Sequence, residues 1–421
     1  MIYLVLIFFS ALVLLSYVFD ITSRYTRIPG VILLMVLGIL LKLLTKYTSL
    51  EIPNLQPLLP VIGTLGLILI VLEGSLDLTL DKEKKTIIFK SVVSGILLFL
   101  LFAGVFAYYL VAVYQIPLHQ AFINVIPLGI ISSAVAIPAA ANLDQNDKEF
   151  VTYESSVSDV LGILVFDFIF INTMEKSKGM AGFFGDIIFT LILSVIFSAG
   201  LTFLIQKIRH HVKYVIIMTF IVLVFASAKL VHLPSLLVVL IFGLMMNNMH
   251  LFKFEKVKEF LDFEGFREEL ISFKHITGEL TFLVRSFFFI MFGYYTNLSD
   301  LLNLTNLGIS VLITISIFAL RALFFKFILR QSFNPLLFYA PRGLITILLF
   351  LNVPEAIRLP FMNEGTVSQI IFLSILVIIV GNIIGKRRQA KVPEFEIVNT
   401  KEQDDSELEP DNDEEQSVAN L

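Results

Sequence analysis

Apolar residues run along the chain in long blocks separated by short polar stretches. A membrane-spanning helix needs about 20 mostly apolar residues, because it must cross about 30 Å of hydrocarbon. The pattern predicts an all-α polytopic membrane protein with about thirteen transmembrane helices. They lie at about residues 2–19, 28–46, 57–80, 87–114, 119–142, 151–173, 180–205, 213–230, 233–250, 276–298, 304–329, 334–352 and 366–385.

Composition agrees with this class. Hydrophobic residues make up 57% of the 421 residues and charged residues only 16%, where a soluble domain has about a quarter. A soluble fold could not cover so much apolar surface, whereas lipid can. The chain has no cysteine, which excludes disulfides and thiolate metal sites.

Charge is distributed unevenly, and this predicts domains and orientation. Eleven acidic residues lie within 394–421, a composition typical of disorder. We predict a transmembrane domain at 1–390 and an acidic, disordered cytoplasmic tail at 391–421. With the N-terminus outside, loops and helix ends carry twenty Lys and Arg on the cytoplasmic side against six outside, as the positive-inside rule requires. The longest loop, 251–275, is predicted to be an amphipathic cytoplasmic segment, and the location a cell membrane.

A faint internal repeat links the third and tenth predicted helices. The segments Leu72–Asp81 and Met291–Asp300 each place an aspartate seven residues after a glycine. The tenth helix comes seven positions after the third, an odd number, so the two segments cross in opposite directions. This is the pattern of an inverted repeat, in which ion sites lie at the repeat interface near the midplane.

The sixth predicted helix carries charges that are costly in a membrane and therefore functional by default. Ser155 and Asp159 are four residues apart and share one helix face. They offer hard oxygen ligands, which suit an alkali cation such as Na⁺. A buried carboxylate that holds either a proton or a cation is the minimal device for exchange, although Asp159 could instead pair with a buried arginine.

Glu154, on the same helix, needs a cationic partner if it is buried and ionised. Three arginines lie within predicted helices and are candidates for this role: Arg285, Arg321 and Arg342.

Two predicted helices appear interrupted. The fifth contains Gly129-Ile-Ile-Ser-Ser-Ala-Val-Ala-Ile-Pro138, and the twelfth contains Tyr339-Ala-Pro-Arg-Gly343. A proline inside a helix removes one of its hydrogen bonds. Interrupted helices at corresponding positions of two repeats indicate a transporter site, and we attribute both interruptions to these prolines and glycines.

Together these residues resemble the sodium/proton exchangers of the monovalent cation:proton antiporter superfamily, in its NhaP/NHE-like branch. The resemblance covers about residues 1–390. It implies the NhaA-like antiporter fold, with inverted repeats and two discontinuous crossing helices. It also implies a homodimer and an elevator mechanism, in which a mobile core carries the ion past a dimerisation domain.

The resemblance also implies roles for individual residues. Asp159 would bind Na⁺ or H⁺, with Ser155 as a side-chain ligand and Glu73 as support. The ion site would further include Ser158, Ser132 and Ser133. Glu154 would form a buried structural pair with Arg321, Arg342 would stabilise the crossing of the broken helices, and Arg285 is a possible further member.

The sequence departs from the family pattern at two places. Ser158 stands where the family has an asparagine before the key aspartate. Ser132-Ser133-Ala134 stands where the family has Thr-Asp-Pro, so the acid is missing. A single titrating carboxylate suggests one proton per cation, and therefore electroneutral exchange.

Other functions remain as alternatives. A sodium-coupled organic-anion carrier would need a larger polar cavity with cationic groups. An enzyme would need histidine or metal-ligand clusters inside helices, and the six histidines fall in loops or at helix ends. A channel would need a repeated filter motif. We expect no cofactor, no enzymatic activity and no nucleic-acid partner, and the sequence does not distinguish Na⁺ from Li⁺ or K⁺ as the transported ion.

Overall fold

A computed structural model describes residues 2–26, 28–48, 55–80, 84–174, 180–207, 212–231, 233–249, 263–330 and 335–384. Within these ranges all regular secondary structure is helical, which confirms the predicted fold class. The α-helices are α1 (Ile2–Thr26), α2 (Gly30–Thr48), α3 (Leu59–Asp77), α4 (Lys85–Tyr114), α5 (Leu118–Gly129), α6 (Ser133–Ala139), α7 (Gln145–Met174), α8 (Met180–Lys207), α9 (Lys213–Leu230), α10 (Ser235–Asn247), α11 (Phe263–Tyr295), α12 (Leu298–Leu301), α13 (Leu304–Phe324), α14 (Leu344–Asn352) and α15 (Glu364–Ile384).

Length and composition identify most of these helices as candidate membrane spans. Among the described residues, eight helical segments are long and apolar enough to cross a membrane, and α1, α8 and α10 contain shorter apolar stretches. The two remaining predicted crossings are α7, which carries several charges, and the short α14. The protein is therefore a multi-pass membrane protein, while the number of thirteen crossings stays a prediction.

The helices pack in two groups. The first, here called the scaffold group, contains α1, α2, α3 and α8–α11, and the second, the core group, contains α4–α7 and α13–α15. The groups meet where α3 and α10 face α6, α7 and α14. The interrupted segments and most charged residues of the predicted site belong to the core group.

Glycines set the closest contact inside the scaffold group. A Cβ at Gly38 would collide with the backbone of Ile290 and Tyr294, and a Cβ at Gly293 would collide with the backbone of Met35. Helices α2 and α11 therefore cross backbone to backbone. Small residues at membrane helix crossings permit this approach, which maximises van der Waals contact in lipid.

Helix α11 differs from the prediction. It begins at Phe263 and continues to Tyr295, so the described part of the predicted loop 251–275 is continuous with the tenth span. Phe266 and Phe273 are buried on one side of this extension, while Arg267 and Glu268 are exposed on the other. The helix continues into this amphipathic part, whereas a continuous apolar run marks only the part of a helix that is embedded in lipid. Residues 251–262, Asp81 and the acidic tail from 391 lie outside the described residues.

Both predicted interruptions are present. After α5 the chain is extended at residues 130–132 before α6 begins, and a 3₁₀ turn at Leu336–Phe338 is followed by an irregular stretch at 339–343 before α14. The explanation of the first interruption by proline was wrong. Pro127 lies inside α5 and Pro138 inside α6, and the chain unwinds between them, where its N–H groups bind other elements.

Candidate functional site at the crossing of two interrupted helices

Asp159 lies at the centre of the core group. It is the fifteenth residue of the thirty in α7, and its side chain is fully buried. Its Oδ2 accepts hydrogen bonds from the Ser133 backbone N–H, at 3.1 Å, and from the Ser133 hydroxyl. Its Oδ1 is buried and has no hydrogen-bond partner among the described residues. Asp159 therefore has one oxygen fixed by the protein and one available to a proton or a cation.

The position of Ser133 explains this geometry. It is the first residue of α6, and the N–H groups of a helix's first turn have no partner within the helix. The N-terminal end of a helix also favours a nearby negative charge. Because α6 begins directly after the interruption at 130–132, the Ser133 N–H has no helical partner and can donate to the Asp159 carboxylate.

The extended segment before α6 is held by the other interrupted segment and by α7. The Ile131 N–H donates to the Ser158 hydroxyl at 3.0 Å, and the Ser132 N–H donates to the Pro341 carbonyl at 2.9 Å. With the Ser133 bond to Asp159, three consecutive N–H groups find partners outside their own segment. Ser158 therefore positions the backbone at Ile131. The Ser132 hydroxyl is buried and has no hydrogen-bond partner among the described residues, so its oxygen is available as a ligand.

The two interrupted segments cross without space between them. A Cβ at Gly343 would lie 2.6 Å from the Ser132 Oγ and 3.0 Å from the Val135 Cγ2. Gly343 therefore allows the backbone of the second segment to reach the first.

Arg342 supplies a positive charge at this crossing. Its side chain is buried, its Nε donates to the Leu128 carbonyl at 2.5 Å, and its Nη1 donates to the Ala340 carbonyl at 2.8 Å. Leu128 is in the last turn of α5, where carbonyl groups lack helical partners and a cation is favourable.

Glu154 and Arg321 form a buried pair that joins α7 to α13. The Arg321 Nη1 and Nη2 donate to the Glu154 Oε1 and Oε2 at 2.8 and 2.7 Å. The Ser94 hydroxyl also donates to Glu154, and Arg321 donates to the Leu336 carbonyl at 2.9 Å. Of the three candidate partners of Glu154, the structure thus brings Arg321 to it.

A cavity of about 590 Å³ leads toward the site between the two helix groups. Asp20, Glu73 and Arg285 line it from the scaffold group, and Ser133 and Tyr153 line it from the core group. The Arg285 guanidinium lies 3.9 Å from the Asp20 carboxylate. Glu73 and Arg285 therefore lie in the access path, and Ser133 connects the cavity to Asp159.

Nearer the N-terminal end of α3 the two helix groups are in apolar contact, and a second cavity of about 220 Å³, lined by Leu59 and Phe350, also lies between them there. A methyl group at Gly63 of α3 would lie 2.6 Å from the Leu348 Cδ2 and 3.0 Å from the Phe288 Cε2. Leu348 belongs to α14 of the core group and Phe288 to α11 of the scaffold group. The two groups are thus in tight contact on this side of Asp159.

Three other polar side chains, Ser155, Asp167 and Lys326, make no hydrogen bond to Asp159 among the described residues. The Ser155 hydroxyl is buried and donates to the Val151 carbonyl at 2.7 Å, which leaves its lone pairs available. Asp167 pairs with Lys229 of α9 at 2.7 Å. Lys326 is exposed in the helical turn that follows α13.

Two serines of this site were missed in the sequence. Ser94 of α4 binds Glu154, and Ser374 of α15 binds the Arg342 backbone. Neither lies in a motif, and apolar helices in this chain contain many serines. Only the tertiary structure distinguishes these two from the rest.

A buried carboxylate at two crossing interrupted helices, with a cavity leading to it between two helix groups, defines a secondary ion transporter rather than an enzyme. The model of the family described as "Sodium/hydrogen exchanger, transmembrane" matches residues 9–386. The chain therefore belongs to the sodium/hydrogen exchanger family, and sodium/proton antiport is the activity that this membership assigns to it.

Solved structures agree on the fold. The chain is similar to the sodium proton antiporter MjNhaP1 from Methanocaldococcus jannaschii at pH 8, with a TM-score of 0.66, 19% identity, and coverage of 90% of this chain and 98% of that one. A second structure of MjNhaP1, from electron microscopy, gives a TM-score of 0.65, 18% identity, and coverage of 91% and 95%. No curated protein matches the chain in sequence.

Proposed function

We propose that this antiporter exchanges one Na⁺ for one H⁺, and that the two ions compete for Asp159. The observation that carries the proposal is the asymmetry of this carboxylate, with Oδ2 fixed by Ser133 and Oδ1 buried without a partner. A buried anion is costly unless it is compensated. Either a proton or a cation at Oδ1 supplies that compensation, and both cannot occupy it together.

Nearby oxygen atoms would complete the cation site. The free Ser132 hydroxyl is next to Ser133, and the Ser155 oxygen lies one helical turn from Asp159. Hydroxyl and carbonyl oxygens are suitable ligands for an alkali cation. Glu73 would act earlier, by attracting the cation into the cavity, and Ser158 would hold the backbone from which the carbonyl ligands project.

The number of titrating groups supports a 1:1 stoichiometry. Ser133 occupies the position of the family's acid, and at the crossing it donates a hydrogen bond instead of adding a charge. Among the described residues at this crossing, Asp159 is then the one carboxylate without a cationic partner. A loaded core would carry the same net charge with Na⁺ as with H⁺, so that exchange would be electroneutral.

The position of the cavity supports an elevator mechanism. It lies between the core and scaffold groups, whereas nearer the N-terminal end of α3 the two groups are in contact through Phe288 and Leu348. A shift of the core group along α3 and α11 would close the cavity and open that contact. Lys84 and Lys148, at the cavity wall, are two of the twenty Lys and Arg residues that the sequence predicts to be cytoplasmic. The cavity would therefore face the cytoplasmic side of a cell membrane. By the family pattern, the scaffold group would form a homodimer.

The test is proton flux in proteoliposomes with an imposed pH gradient, after pulses of Na⁺, Li⁺ or K⁺. Asp159→Asn keeps the size of the side chain but cannot titrate. Asp186→Asn is the matched control, because Asp186 lies in α8, away from the cavity. A voltage-sensitive dye in the same vesicles measures any charge movement.

The proposal expects a cation pulse to dissipate the gradient with wild type and Asp186→Asn but not with Asp159→Asn, and without a voltage signal. The most effective ion identifies the substrate. Full activity of Asp159→Asn would exclude competition at this residue, and a voltage signal driven by transport would exclude electroneutral exchange. A lack of response to all three ions would favour the organic-anion carrier.

A further inference from the structure

Ser374 lies in the middle of α15 and is fully buried. Its hydroxyl donates to the Ile371 carbonyl at 2.8 Å and accepts the Arg342 backbone N–H at 2.9 Å. Many buried serines in this chain bond only to their own helix. Ser374 in addition holds the backbone of another element, at the second interruption.

The peptide bond that Ser374 holds is the one that contacts the first interrupted segment. The Arg342 N–H and the Pro341 carbonyl belong to a single planar peptide unit. This N–H donates to Ser374, and this carbonyl accepts the Ser132 N–H at 2.9 Å. The orientation of the peptide plane is therefore fixed from both ends, by Ser374 on one side and Ser132 on the other.

The next link is the ion site itself. Ser132 precedes Ser133, whose N–H and hydroxyl both donate to the Asp159 Oδ2. A continuous path of hydrogen bonds and covalent bonds thus runs from Ser374 through the Pro341–Arg342 peptide and Ser132 to Asp159. Linked hydrogen bonds of this kind polarise one another in a low-dielectric interior.

Ser374 also has a counterpart in the other half of the fold. Ser158 of α7 accepts the Ile131 N–H of the first interruption, and Ser374 of α15 accepts the Arg342 N–H of the second. Each serine lies on the second α-helix after its interruption. The same device therefore holds both extended segments, although the sequence draws attention only to Ser158.

We infer that Ser374 is a positioning residue for the ion site, which sets the affinity for the cation by holding the Pro341–Arg342 peptide, and through it Ser132 and Ser133, in place against Asp159. This inference rests on the proposed role of Asp159. It makes Ser374 important for cation binding although it does not touch the ion.

The test compares Ser374→Ala with Ser374→Cys and Ser374→Thr. Alanine removes the acceptor, cysteine keeps the size but is a weak acceptor, and threonine keeps the hydroxyl. Ser368→Ala is the matched control, because Ser368 is a buried serine of α15 that lines a different cavity, together with Tyr295 and Asn297. Loss of a hydrogen bond to a buried N–H changes an equilibrium by about fivefold or more.

Two quantities are measured for each variant. The first is the KM for Na⁺ and the Vmax of exchange in proteoliposomes. The second is the rise of the unfolding temperature with added Na⁺ in detergent, which reports binding without transport. We expect Ser374→Ala and Ser374→Cys to raise the KM about fivefold or more and to weaken the Na⁺-dependent stabilisation, with Vmax little changed. Ser374→Thr and Ser368→Ala should resemble wild type.

An unchanged KM in Ser374→Cys, in a preparation where Asp159→Asn abolishes exchange, would overturn the inference and leave the role of Asp159 intact. A fall in Vmax and in basal unfolding temperature, with KM and Na⁺-dependent stabilisation unchanged, would reduce Ser374 to a packing residue. If Asp159→Asn exchanged ions as wild type does, both the inference and the proposed function would fall. If Ser374→Ala did not fold, the cysteine variant would decide.

Discussion

Glu154 and Arg321 are 167 positions apart in sequence and meet in two parallel hydrogen bonds of 2.8 and 2.7 Å. Their side chains are 0% and 2% exposed. The guanidinium also stacks on the Phe325 ring, 4.8 Å from its centroid. This pair fixes α7, which carries Asp159, to α13.

Removal of either partner leaves an uncompensated buried charge. We expect Glu154→Gln or Arg321→Met alone to lower the free energy of unfolding by about 3–5 kcal/mol, whereas the double variant should recover much of this loss. Thermal unfolding in detergent measures the effect. Glu149→Gln, which breaks the partly exposed pair with Lys84, is the control and should cost less than about 1 kcal/mol. Equal costs for both pairs would contradict the structural role assigned to Glu154.

Ser133→Ala should weaken sodium binding. The substitution removes the hydroxyl donor to the Asp159 Oδ2 and keeps the backbone N–H donor. A hydrogen bond to a charged group contributes about 1.5–3 kcal/mol, so we expect the KM for Na⁺ to rise about tenfold. The rise should be largest at acid pH, where protons compete best. Ser133→Thr restores the hydroxyl and should restore the KM, and failure of this rescue would mean that the hydroxyl is not the cause.

Substitution at the crossing of α2 and α11 should destabilise the scaffold group. Gly293→Ala places a Cβ against the Met35 backbone, which cannot move as a side chain would. We expect a loss of more than about 2 kcal/mol, by the cost of overpacking, seen as a lower unfolding temperature and a lower yield. Gly308→Ala is the control, because a Cβ at Gly308 of α13 meets nothing within 4 Å. If Gly293→Ala left the unfolding temperature unchanged, α2 and α11 would have to move apart at little cost in free energy.

Crosslinking can test movement between the two groups. Asp167 of α7 and Lys229 of α9 form an ion pair that joins the core group to the scaffold group. The chain has no cysteine, so a cysteine pair at these positions can be linked selectively with a short bifunctional thiol reagent that is cleaved by reduction. We expect linkage to stop exchange and reduction to restore it.

The control for this experiment is a cysteine pair at Lys213 and Glu269, which form an ion pair within the scaffold group. Linking these two residues should leave exchange intact. Undiminished exchange in the linked Asp167–Lys229 pair would exclude relative movement of α7 and α9 and, with it, the elevator mechanism.

The sequence predicts the helical class, the two interrupted segments and the chemistry of α7, because these depend on apolar length, glycine and proline content, and i to i+4 spacing. It does not show where within Gly129–Pro138 the first interruption lies. The chain unwinds at Ile130–Ser132 because Ser158 and Pro341 accept the N–H groups of Ile131 and Ser132, and Asp159 accepts the N–H of Ser133 at the start of α6. These partners are 26 or more residues away, and no local pattern reports them.

The same limit applies to single residues. From the positions of charged residues alone, Arg321 is one of three candidate partners of Glu154, and only the family resemblance favours it. Ser374 could not be singled out, since a serine in an apolar helix usually satisfies its hydroxyl within that helix. The sequence pattern predicts a loop where the first part of α11 lies, because the charged residues on the exposed face of this part interrupt the apolar run.

The depth to which the cavity reaches has an electrical consequence. The cavity extends to Ser133, beside the midpoint of α7. Filled with water, it would carry a high dielectric to that depth and leave the apolar contact near Gly63 as part of the remaining barrier. The membrane voltage would then fall mainly across the part of the helix bundle beyond Ser133. In the proposed elevator movement the barrier would form on the other side of Asp159, so that the bound ion would cross this field together with the core group. A charged load would then exchange about 2.3 kcal/mol with a potential of 100 mV, and a neutralised Asp159 would exchange almost none.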